Sequence, residues 1–425
     1  MPDAPRRAAF IFIFISVVLD VLALGIIIPV LPKLIEDFVG GDTVKAAPIV
    51  GLFGTVWALM QFIFAPILGV LSDRVGRRPV LLLSMLGLGL DYILMALAPT
   101  LAILFVGRVI SGITAASFAT ASAYIADVTP TAQRAATFGK LMAAWGFGFV
   151  IGPSTGGFLG ELDPRLPFWA AAVLTLLNFC YGVFVLPESL PKDKRKPFSI
   201  KRASPVGSLK LLNSHPELRG LAIVYFLYQL AHQVLPSVFV LYAGHRYGWS
   251  ELDVGLLLAV VGVCNIVVQI GLVRPLVNTL GERGALLTGL FFGAAGYLVY
   301  GLAPTGWTFW IGVPVFALIG LFNPSLQALM TRHVGPTEQG QLQGANASIM
   351  GITGMIGPAL FTLTFAYFIS DNAPVSYLPG AAFILASALH IGAMLVTCRA
   401  ARRAAQSSSP PAHEKTAASE TQPSS

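Results

Sequence analysis

Two acidic residues interrupt long apolar segments in the first quarter of this sequence. Asp20 and Asp91 each lie within a run of about twenty mostly apolar residues, the length of a helix that crosses a bilayer. A charged side chain at the centre of such a helix costs roughly 3 kcal/mol, so we expect it to face a cavity and to serve a purpose there. A carboxylate removed from water also keeps its proton more readily. Both acids are therefore candidates for binding a transported proton, and acids paired only for structural reasons are the alternative.

The surroundings of the two acids differ. Asp20 is followed by Gly25 and Pro29, residue types that loosen or kink a membrane helix. Because a helix of this kind could respond to protonation, we favour Asp20 for proton coupling and assign Asp91 to the substrate side.

Arg108 and His232 are further candidates for proton coupling. Arg108 is the cation that we place inside the membrane, close to the outer end of its apolar segment. Its guanidinium could reach the membrane surface and do little, or it could pair with a carboxylate and alter the affinity of that group for protons. His232 is a secondary candidate for carrying the proton. His390, alone in the last apolar segment, is expected to be structural.

A short basic turn separates the second and third apolar segments. It reads Gly69-Val70-Leu71-Ser72-Asp73-Arg74-Val75-Gly76-Arg77-Arg78. Lys and Arg beside membrane helices stay on the cytoplasmic side, so this turn fixes the topology around it. Asp73 is an acid among cations that could pair with arginine, although it could also be incidental in an ordinary cytoplasmic loop. We expect a cytoplasmic gate that latches the two halves of the chain together, formed by Gly69, Asp73, Arg74, Gly76, Arg77, Arg78 and Arg134.

The composition is that of a membrane protein built from helices. Hydrophobic residues make up 55% of the 425 residues and charged residues only 11%, whereas soluble domains contain about a quarter charged residues. The following apolar segments, called spans 1 to 12, predict about twelve transmembrane helices: 8–31, 49–71, 79–99, 101–125, 136–160, 167–186, 219–243, 253–277, 284–303, 308–330, 341–368 and 378–398.

The distribution of charge predicts the orientation of these spans. With both termini in the cytoplasm, 22 of the 27 Lys and Arg residues are cytoplasmic, and the external loops hold only Lys33, Lys45, Arg165 and Arg246. The net charge of +7 therefore reports membrane orientation and not nucleic-acid binding. No nucleophile with a base and no set of metal ligands stands out, so we expect no enzymatic activity, no resident metal and no cofactor.

The two halves of the chain repeat. At a constant offset of about 205 residues, Gly76 corresponds to Gly281 and Arg78 to Arg283, and the same offset relates Gly139 to Gly344 and Gly152-Pro153 to Gly357-Pro358. The predicted organisation is a six-helix bundle at 1–186, a cytoplasmic linker at 187–218, a second six-helix bundle at 219–399 and a disordered tail at 400–425. The acids are absent from the second copy, where the three corresponding residues are Tyr225, Asn278 and Gly296. Proton chemistry is therefore expected mainly in the first half.

Glycines and amides mark two further sets of candidate residues. Glycine in span 5 lets membrane helices touch backbone to backbone, and the set comprises Gly139, Gly148, Gly152, Pro153, Gly156 and Gly157. Amides at membrane depth could line a substrate cavity or join helices by hydrogen bonds, and they comprise Gln61, Gln229, Gln233, Asn265, Gln269, Asn323 and Gln327.

The spacing G-x-x-x-D-R-x-G-R-R in the basic turn resembles the cytoplasmic signature of major facilitator superfamily transporters. The glycines of span 5 resemble the antiporter motif of drug exporters in that superfamily, and Arg108 with Gly112 resembles its fourth-helix R-x-x-x-G motif. Further likenesses, to the tetracycline/proton antiporter branch, are Ser72–Leu83 with Asp91-Tyr92, Gly107–Thr114 and Tyr247-Gly248-Trp249. The resemblance implies two six-helix bundles related by a pseudo-two-fold axis, and exchange of a divalent-metal chelate of tetracycline for protons with acids matching Asp20, Asp73 and Asp91.

Two departures from that branch bear on the substrate. Asn265 stands where the family has a histidine in the eighth helix, and Gly293 or a neighbour stands where it has an aspartate in the ninth. An amide and a glycine replace neither a titratable nor an anionic group. We expect proton-coupled efflux of small amphipathic molecules, tetracycline-like or other drugs, across a bacterial inner membrane without an obligate protein partner. A metabolite importer or symporter of the same fold and a non-transporting receptor remain alternatives.

Overall fold

The computed structural model describes residues 3–115, 117–129, 134–195, 197, 207–214, 216–335, 338–371 and 377–407. Residues 408–425 of the predicted tail and most of the predicted linker between 196 and 206 lie outside this description. Within the described residues the regular secondary structure is helical.

Each predicted span has a helical counterpart. The helices of the first half are Asp3–Ile27, Leu31–Phe38, Thr43–Val75, Arg77–Leu97, Leu101–Thr114, Ser117–Val128, Arg134–Leu162 and Leu166–Val185. Short linker helices follow at Lys192–Lys194, Gly207–Lys210 and Leu211–Ser214. The helices of the second half are Pro216–His232, Val234–Tyr247, Glu251–Val267, Val268–Leu272, Val273–Leu302, Gly306–Ala317, Leu318–Leu321, Phe322–Thr331, Gln339–Ile369 and Ala381–Ser407. Among the described residues, nine helical stretches are long and apolar enough to cross a membrane, and Glu251–Leu302 includes both span 8 and span 9.

In several spans the helix is interrupted at a point where the apolar sequence continues. Span 1 ends at Ile27 instead of residue 31, and a new helix starts at Leu31 with Pro32 in its first turn, where a missing N–H costs nothing. Span 7 is interrupted at Gln233, and span 8 passes through a π-helical turn at Val268–Leu272. Hydropathy reports the burial of side chains in lipid and carries no signal for such backbone breaks.

The repeat predicted from the sequence is present in the backbone. Gly76 (φ 111°) and Gly281 (φ 70°) both adopt the left-handed conformation that favours glycine, at an offset of 205 residues. Thr100 and Thr305 share the same offset, and each caps the following helix with its hydroxyl oxygen. Arg78 and Arg283 each donate to a carbonyl in the last span of their own half, at 2.7 and 3.1 Å.

All four external cations have partners. Lys33 pairs with Glu36 and Lys45 with Asp42, each at 2.8 Å and three residues apart. Arg165 donates to the carbonyls of Ala96 (3.0 Å) and Ala98 (3.1 Å) at the external end of span 3. Arg246 donates to Ala303 (3.0 Å), which is the residue 205 positions after Ala98.

The two halves meet through span 5 against span 8 and span 2 against span 11. At the external end of the first pair, a β-carbon on Gly157 would overlap the carbonyl of Glu251. A β-carbon on Gly262 would lie 2.5 Å from Val150, one on Gly146 3.8 Å from Ile266, and one on Gly271 would meet no described atom within 4 Å. Among the described residues, the contact between these spans is therefore tightest at the Gly157 end.

Spans 2 and 11 are in contact over more of their length, because a β-carbon on Gly351 would also overlap the Phe62 ring. A β-carbon on Gly51 would overlap the Thr362 hydroxyl, and one on Gly54 would lie 3.0 Å from Pro358. At the other end of these spans, Gly69 and Gly340 have open space around the β-carbon position in the described structure. In the orientation that loop charge predicts, the halves are therefore in close contact at the external ends of the spans, and the two cytoplasmic glycines face open space.

The external closure predicts a specific effect of Gly157→Ala. The added methyl group collides with backbone of the opposite half, and overpacking of this kind costs about 1–3 kcal/mol, so the externally closed state should lose roughly tenfold in population. The measurement is the rate at which a membrane-impermeant maleimide labels a single cysteine placed at Thr55, whose hydroxyl donates to Met355 across the interface.

Gly271→Ala is the matched control because its β-carbon meets open space. Equal labelling rates in the two variants would contradict the closure described for span 5 and span 8.

Candidate functional site

Asp20 accepts a hydrogen bond from a residue of span 6. The Asn178 side chain donates to Asp20 Oδ1 at 3.0 Å and to the Ser16 carbonyl at 3.3 Å, and Asn178 is fully buried. The sequence analysis missed Asn178, although a lone amide in so apolar a span was a usable signal. Asp20 therefore has a fixed donor for its ionised form.

Asp91 is buried (1% exposed), and among the described residues the Ser111 hydroxyl is the one donor that approaches its carboxylate, without the geometry of a full hydrogen bond. Arg108 also acts on it electrostatically. Gly107 makes room for this carboxylate, because a β-carbon there would lie 2.9 Å from Asp91 Oδ1. A buried carboxylate with so few donors is expensive in its ionised form, so this position suits a group that binds and releases a proton.

Arg108 lies between Asp91 and an aromatic ring. Its guanidinium carbon is 5.7 Å from the centre of the Trp57 ring, within the range of a cation–π interaction. Asp91 acts on Arg108 electrostatically, but no ion pair within 4.0 Å joins them among the described residues. This placement favours the pairing role over the role at the membrane surface.

Tyr92 lies close to both acids. It is buried (2% exposed) and lies within electrostatic range of Asp91, Arg108 and Asp20. The candidate proton-binding residues of the first half therefore form one cluster around Tyr92, a residue that the sequence analysis did not single out. His232 is far from it in the fold, on span 7 of the other half.

Arg77 is the centre of the cytoplasmic cluster. Its guanidinium pairs with Asp73 (2.7 Å) and with Asp127 (3.2 Å), and it also donates to the Ser72 hydroxyl. Its backbone N–H donates to Glu188 Oε1 at 2.9 Å. One arginine thus joins the ends of spans 2, 3 and 4 to the beginning of the linker.

Glu188 lies directly beside Gly76, whose positive φ of 111° favours glycine. A β-carbon on Gly76 would overlap the Glu188 carboxylate, which also accepts from Leu190 N–H (3.0 Å) and lies 3.8 Å from the Arg195 guanidinium. Glu188 was not among the residues predicted from the sequence, although it is the acid that lies just before the basic run of the linker.

None of the contacts described for the predicted gate joins the two halves. The contacts described for Asp73, Arg77 and Arg78 lie within the first half and the linker, Arg74 is exposed, and the side chain of Arg134 lies outside the described residues. Gly69 likewise faces open space. Because the cytoplasmic side is open, the latch between halves stays a prediction for the cytoplasm-closed conformation.

The second half carries the same ion pair with its charges reversed. Glu282 pairs with Arg332 at 2.6 Å, and these residues lie 205 positions after Arg77 and Asp127. The sequence repeat was traced through glycines and arginines, so this exchange of charge escaped it.

The amides predicted to line a cavity fall into two groups. Three of them join helices: Gln269 donates to the Gly320 carbonyl (3.3 Å), Asn323 donates to the Tyr228 hydroxyl (3.2 Å) and Gln327 accepts from Asn346 (3.4 Å). No hydrogen bond is described for Gln61, Gln229 or Asn265. Gln233 lies at the break in span 7 and packs against Gly357 of span 11.

The glycines of span 5 pack against two different helices. Gly148, Gly152 and Gly156 pack against span 1, where β-carbons on them would meet Val21, Leu22 or Gly25, and Ile26. Pro153 reaches within 3.0 Å of the β-carbon position of Gly25. Gly157 instead contacts span 8 of the other half, and the surroundings of Gly139 lie outside the described residues. Within the described residues, no group of three His, Cys, Asp or Glu side chains could hold a metal ion.

Residues 13–358 match the family model described as Major Facilitator Superfamily. The chain belongs to the major facilitator superfamily. As a facilitator it consists of two six-helix bundles related by a pseudo-two-fold axis, which confirms the fold predicted from the sequence.

Relatives of this facilitator include resistance proteins. Tetracycline resistance protein, class C, from Escherichia coli is 40% identical over 380 residues, which cover 89% of this chain and 94% of that protein. Multidrug resistance protein 2 from Bacillus subtilis (strain 168) is 28% identical over 368 residues, covering 85% and 89%. A solved bacterial homologue of the human lysosomal transporter Spinster, inward-facing and unoccupied, has a TM-score of 0.73 at 15% identity, covering 96% and 99%. The last likeness concerns the fold alone.

The cytoplasmic cluster predicts the effect of Asp73→Asn. Removing this charge from Arg77 should lower substrate flux more than about tenfold at unchanged expression, because the latch needs an acid at this position. The measurement is initial flux in membrane vesicles, normalised to the amount of protein.

Asp42→Asn, which breaks an exposed external pair with Lys45, is the control and should leave flux unchanged within about twofold. Normal flux in Asp73→Asn would remove the latch from the transport cycle.

The amides predict a difference between Asn265→Ala and Gln269→Ala. Asn265 is exposed and has no described hydrogen bond, so its loss should change the order of preference among substrates, as should Gln233→Ala. Gln269 ties span 8 to span 10, so its loss should lower transport of all substrates by one common factor, about twofold to tenfold. Transport measured against a panel of drugs and dyes distinguishes the two patterns, and a common factor for Asn265→Ala would assign it to helix packing.

Proposed function

We propose that this facilitator exports small amphipathic molecules, tetracycline-like or other drugs, in exchange for protons. It works in a bacterial inner membrane with both termini in the cytoplasm. The observation that carries the proposal is the buried carboxylate of Asp91, which has few donors and lies beside Arg108. Two of the relatives are named for resistance to tetracycline or to several drugs, and these names support export of drugs.

Exchange follows if the proton and the substrate cannot occupy the protein together. Asp91 in its protonated form is compatible with burial, and approach of a cationic or polarised substrate favours the ionised form and expels the proton. Arg108 stabilises the ionised form from one side, and its interaction with Trp57 holds the guanidinium within reach. The contacts therefore favour Asp91 over Asp20 for coupling, which reverses the preference drawn from the sequence.

Asp20 has a different place in this proposal. Its carboxylate already has a hydrogen-bond donor in Asn178, and it lies at the contact of span 1 with span 6. Span 1 also rests on the glycines of span 5, so a change at Asp20 can reach the interface between the halves. We assign Asp20 to the substrate side and to the movement of span 1.

The energy available is sufficient for uphill export. A proton contributes about 1.4 kcal/mol per pH unit, and each net charge moved contributes about 2.3 kcal/mol per 100 mV. We expect no resident cofactor, and a substrate that arrives as a divalent-metal chelate would bring its own metal.

The assignment is tested with Asp91→Asn and Asp20→Asn in inverted vesicles under an imposed pH gradient. Asparagine resembles the protonated acid but cannot titrate, so Asp91→Asn should bind substrate and lose uphill transport. With a gradient of one pH unit, the substrate ratio sustained by one proton falls about tenfold, to the equilibrium value. Asp20→Asn should retain coupling with a changed substrate affinity.

The pH dependence and direction of flux decide between this proposal and an importer. Uphill transport by Asp91→Asn with the pH dependence of the unchanged protein would contradict the assignment. Net movement of substrate towards the cytoplasmic side under the same gradient would favour an importer or symporter.

A further inference from the structure

In the orientation that loop charge predicts, a short helix lies on the external side, where the two halves of the protein meet. After span 1 ends at Ile27, the chain forms the helix Leu31–Phe38, which we call the external helix. It contacts span 2 of its own half and the helix Val234–Tyr247 of the other half. The break in span 1 therefore brings the charged residues of the external helix to the boundary between the halves.

Glu36 is a buried acid of the external helix, with 6% of its surface exposed. One oxygen of its carboxylate accepts from the Thr43 hydroxyl, and the other pairs with Lys33 Nζ at 2.8 Å. Because a buried acid is costly without such partners, this pair holds the Lys33 ammonium in place. The Lys33 side chain is still 41% exposed, so it is also open to groups outside its own helix.

Glu251 is the acid of the other half that lies beside this helix. It is the first residue of the helix Glu251–Val267. A β-carbon on Gly160 of span 5 would lie 3.0 Å from Val30, and 3.4 and 3.5 Å from the β- and γ-carbons of Glu251. The side chains of Val30 and Glu251 therefore approach each other from opposite halves. Lys33 follows Val30 by three residues, which places the two on the same side of the chain.

Three acids act electrostatically on Lys33, and they are Glu36, Asp37 and Glu251. Two of them belong to the external helix, whereas Glu251 belongs to the other half. No ion pair within 4.0 Å joins Lys33 to Glu251 among the described residues, so this attraction acts over a longer distance. Opening the external side moves Glu251 away and leaves the acids of the external helix in place. The attraction between Lys33 and Glu251 therefore favours the externally closed state.

His245 of the other half faces Glu36 in the same region. Its Nε2 shares a hydrogen bond of 2.8 Å with the Tyr377 hydroxyl, and its ring lies edge-on to Phe365 with 6.0 Å between the ring centres. Both of these partners belong to the second half. His245 is thus held by its own half, and Glu251 is the residue of that half that presents an acid to Lys33.

We propose that Lys33 and Glu251 form an electrostatic lock that holds the external side of this facilitator closed, with Glu36 as the residue that positions Lys33. The backbone contact of Gly157 with Glu251 sets how closely the halves approach at this point. Opposite charges add an attraction that persists when the halves begin to separate, because it falls off only gradually with distance. The lock slows opening of the external side whichever substrate is bound.

The test is a double-mutant cycle of Lys33→Met and Glu251→Gln in protein without its three native cysteines. The readout is the rate at which a membrane-impermeant maleimide labels a cysteine placed at Thr55, which rises when the external side opens. Each single substitution should raise this rate about twofold to fivefold, the range for one partly exposed charge pair. The double substitution should raise the rate no further than the larger single effect, because the attraction is already lost.

Lys45→Met combined with Glu251→Gln is the matched control cycle. Lys45 is an external cation that pairs with Asp42 three residues away, and its side chain is 72% exposed. Its loss should leave the labelling rate unchanged, with or without Glu251→Gln. Salt gives a second readout, because raising it from about 0.1 M to 1 M shortens the Debye length from about 10 Å to 3 Å. The labelling rate should then rise in the protein with both charges and stay constant in the Lys33→Met, Glu251→Gln protein.

Effects that multiply in the cycle of Lys33 with Glu251 would overturn the lock. Glu251→Lys covers the case in which Lys33→Met does not fold, because it keeps the pair of Lys33 with Glu36 and places a second cation opposite. It should label faster than Glu251→Gln, and equal rates would contradict the attraction. These measurements require neither substrate nor a proton gradient, so their outcome is independent of the proposed exchange.

Discussion

The close approach of span 5 to two neighbours is the constraint on which the structure depends. One side of this helix lies against the backbone of span 1, and at its external end Gly157 lies against the backbone of span 8. Backbone contact of this kind permits no side chain and little adjustment, since a methyl group on either side causes overlap. This contact between the halves therefore has little room to adjust, and a local change in span 1 is passed through span 5 to the interface.

The halves have the same backbone plan and different chemistry. Gly76 and Gly281, Thr100 and Thr305, and the two capped external ends of spans 3 and 9 follow one offset. The first half carries Asp91, an acid beside an arginine, and the second half carries aromatic rings and imidazoles at a comparable level. The duplication therefore preserves the backbone plan and leaves the buried polar groups of the two bundles different.

The sequence was sufficient for the number of helices and for the duplication, because bilayer thickness acts on every residue of a segment and the repeat recurs at one offset. The orientation that loop charge indicates stays a prediction. The sequence was not sufficient to predict which residues contact each other. Three contacts depend on which helix faces meet, and that information is distributed over segments far apart in the chain. They are Asn178 with Asp20, Glu188 with Gly76, and the reversed pair of Glu282 with Arg332. The breaks at Ile27 and Gln233 were missed for a related reason: they alter the backbone without altering hydropathy.

The pairing of the external cations bears on how the chain is inserted. Lys33 and Lys45 have acids three residues away on the same helical turn, so they are neutralised as soon as those turns form at the translocon. The carbonyls of span 3 that Arg165 contacts are synthesised before Arg165, whereas the carbonyl after span 9 that Arg246 contacts is synthesised after Arg246. In the predicted orientation, Arg246 therefore crosses the membrane before this partner exists, and the orientation of span 7 depends on the basic linker that precedes it.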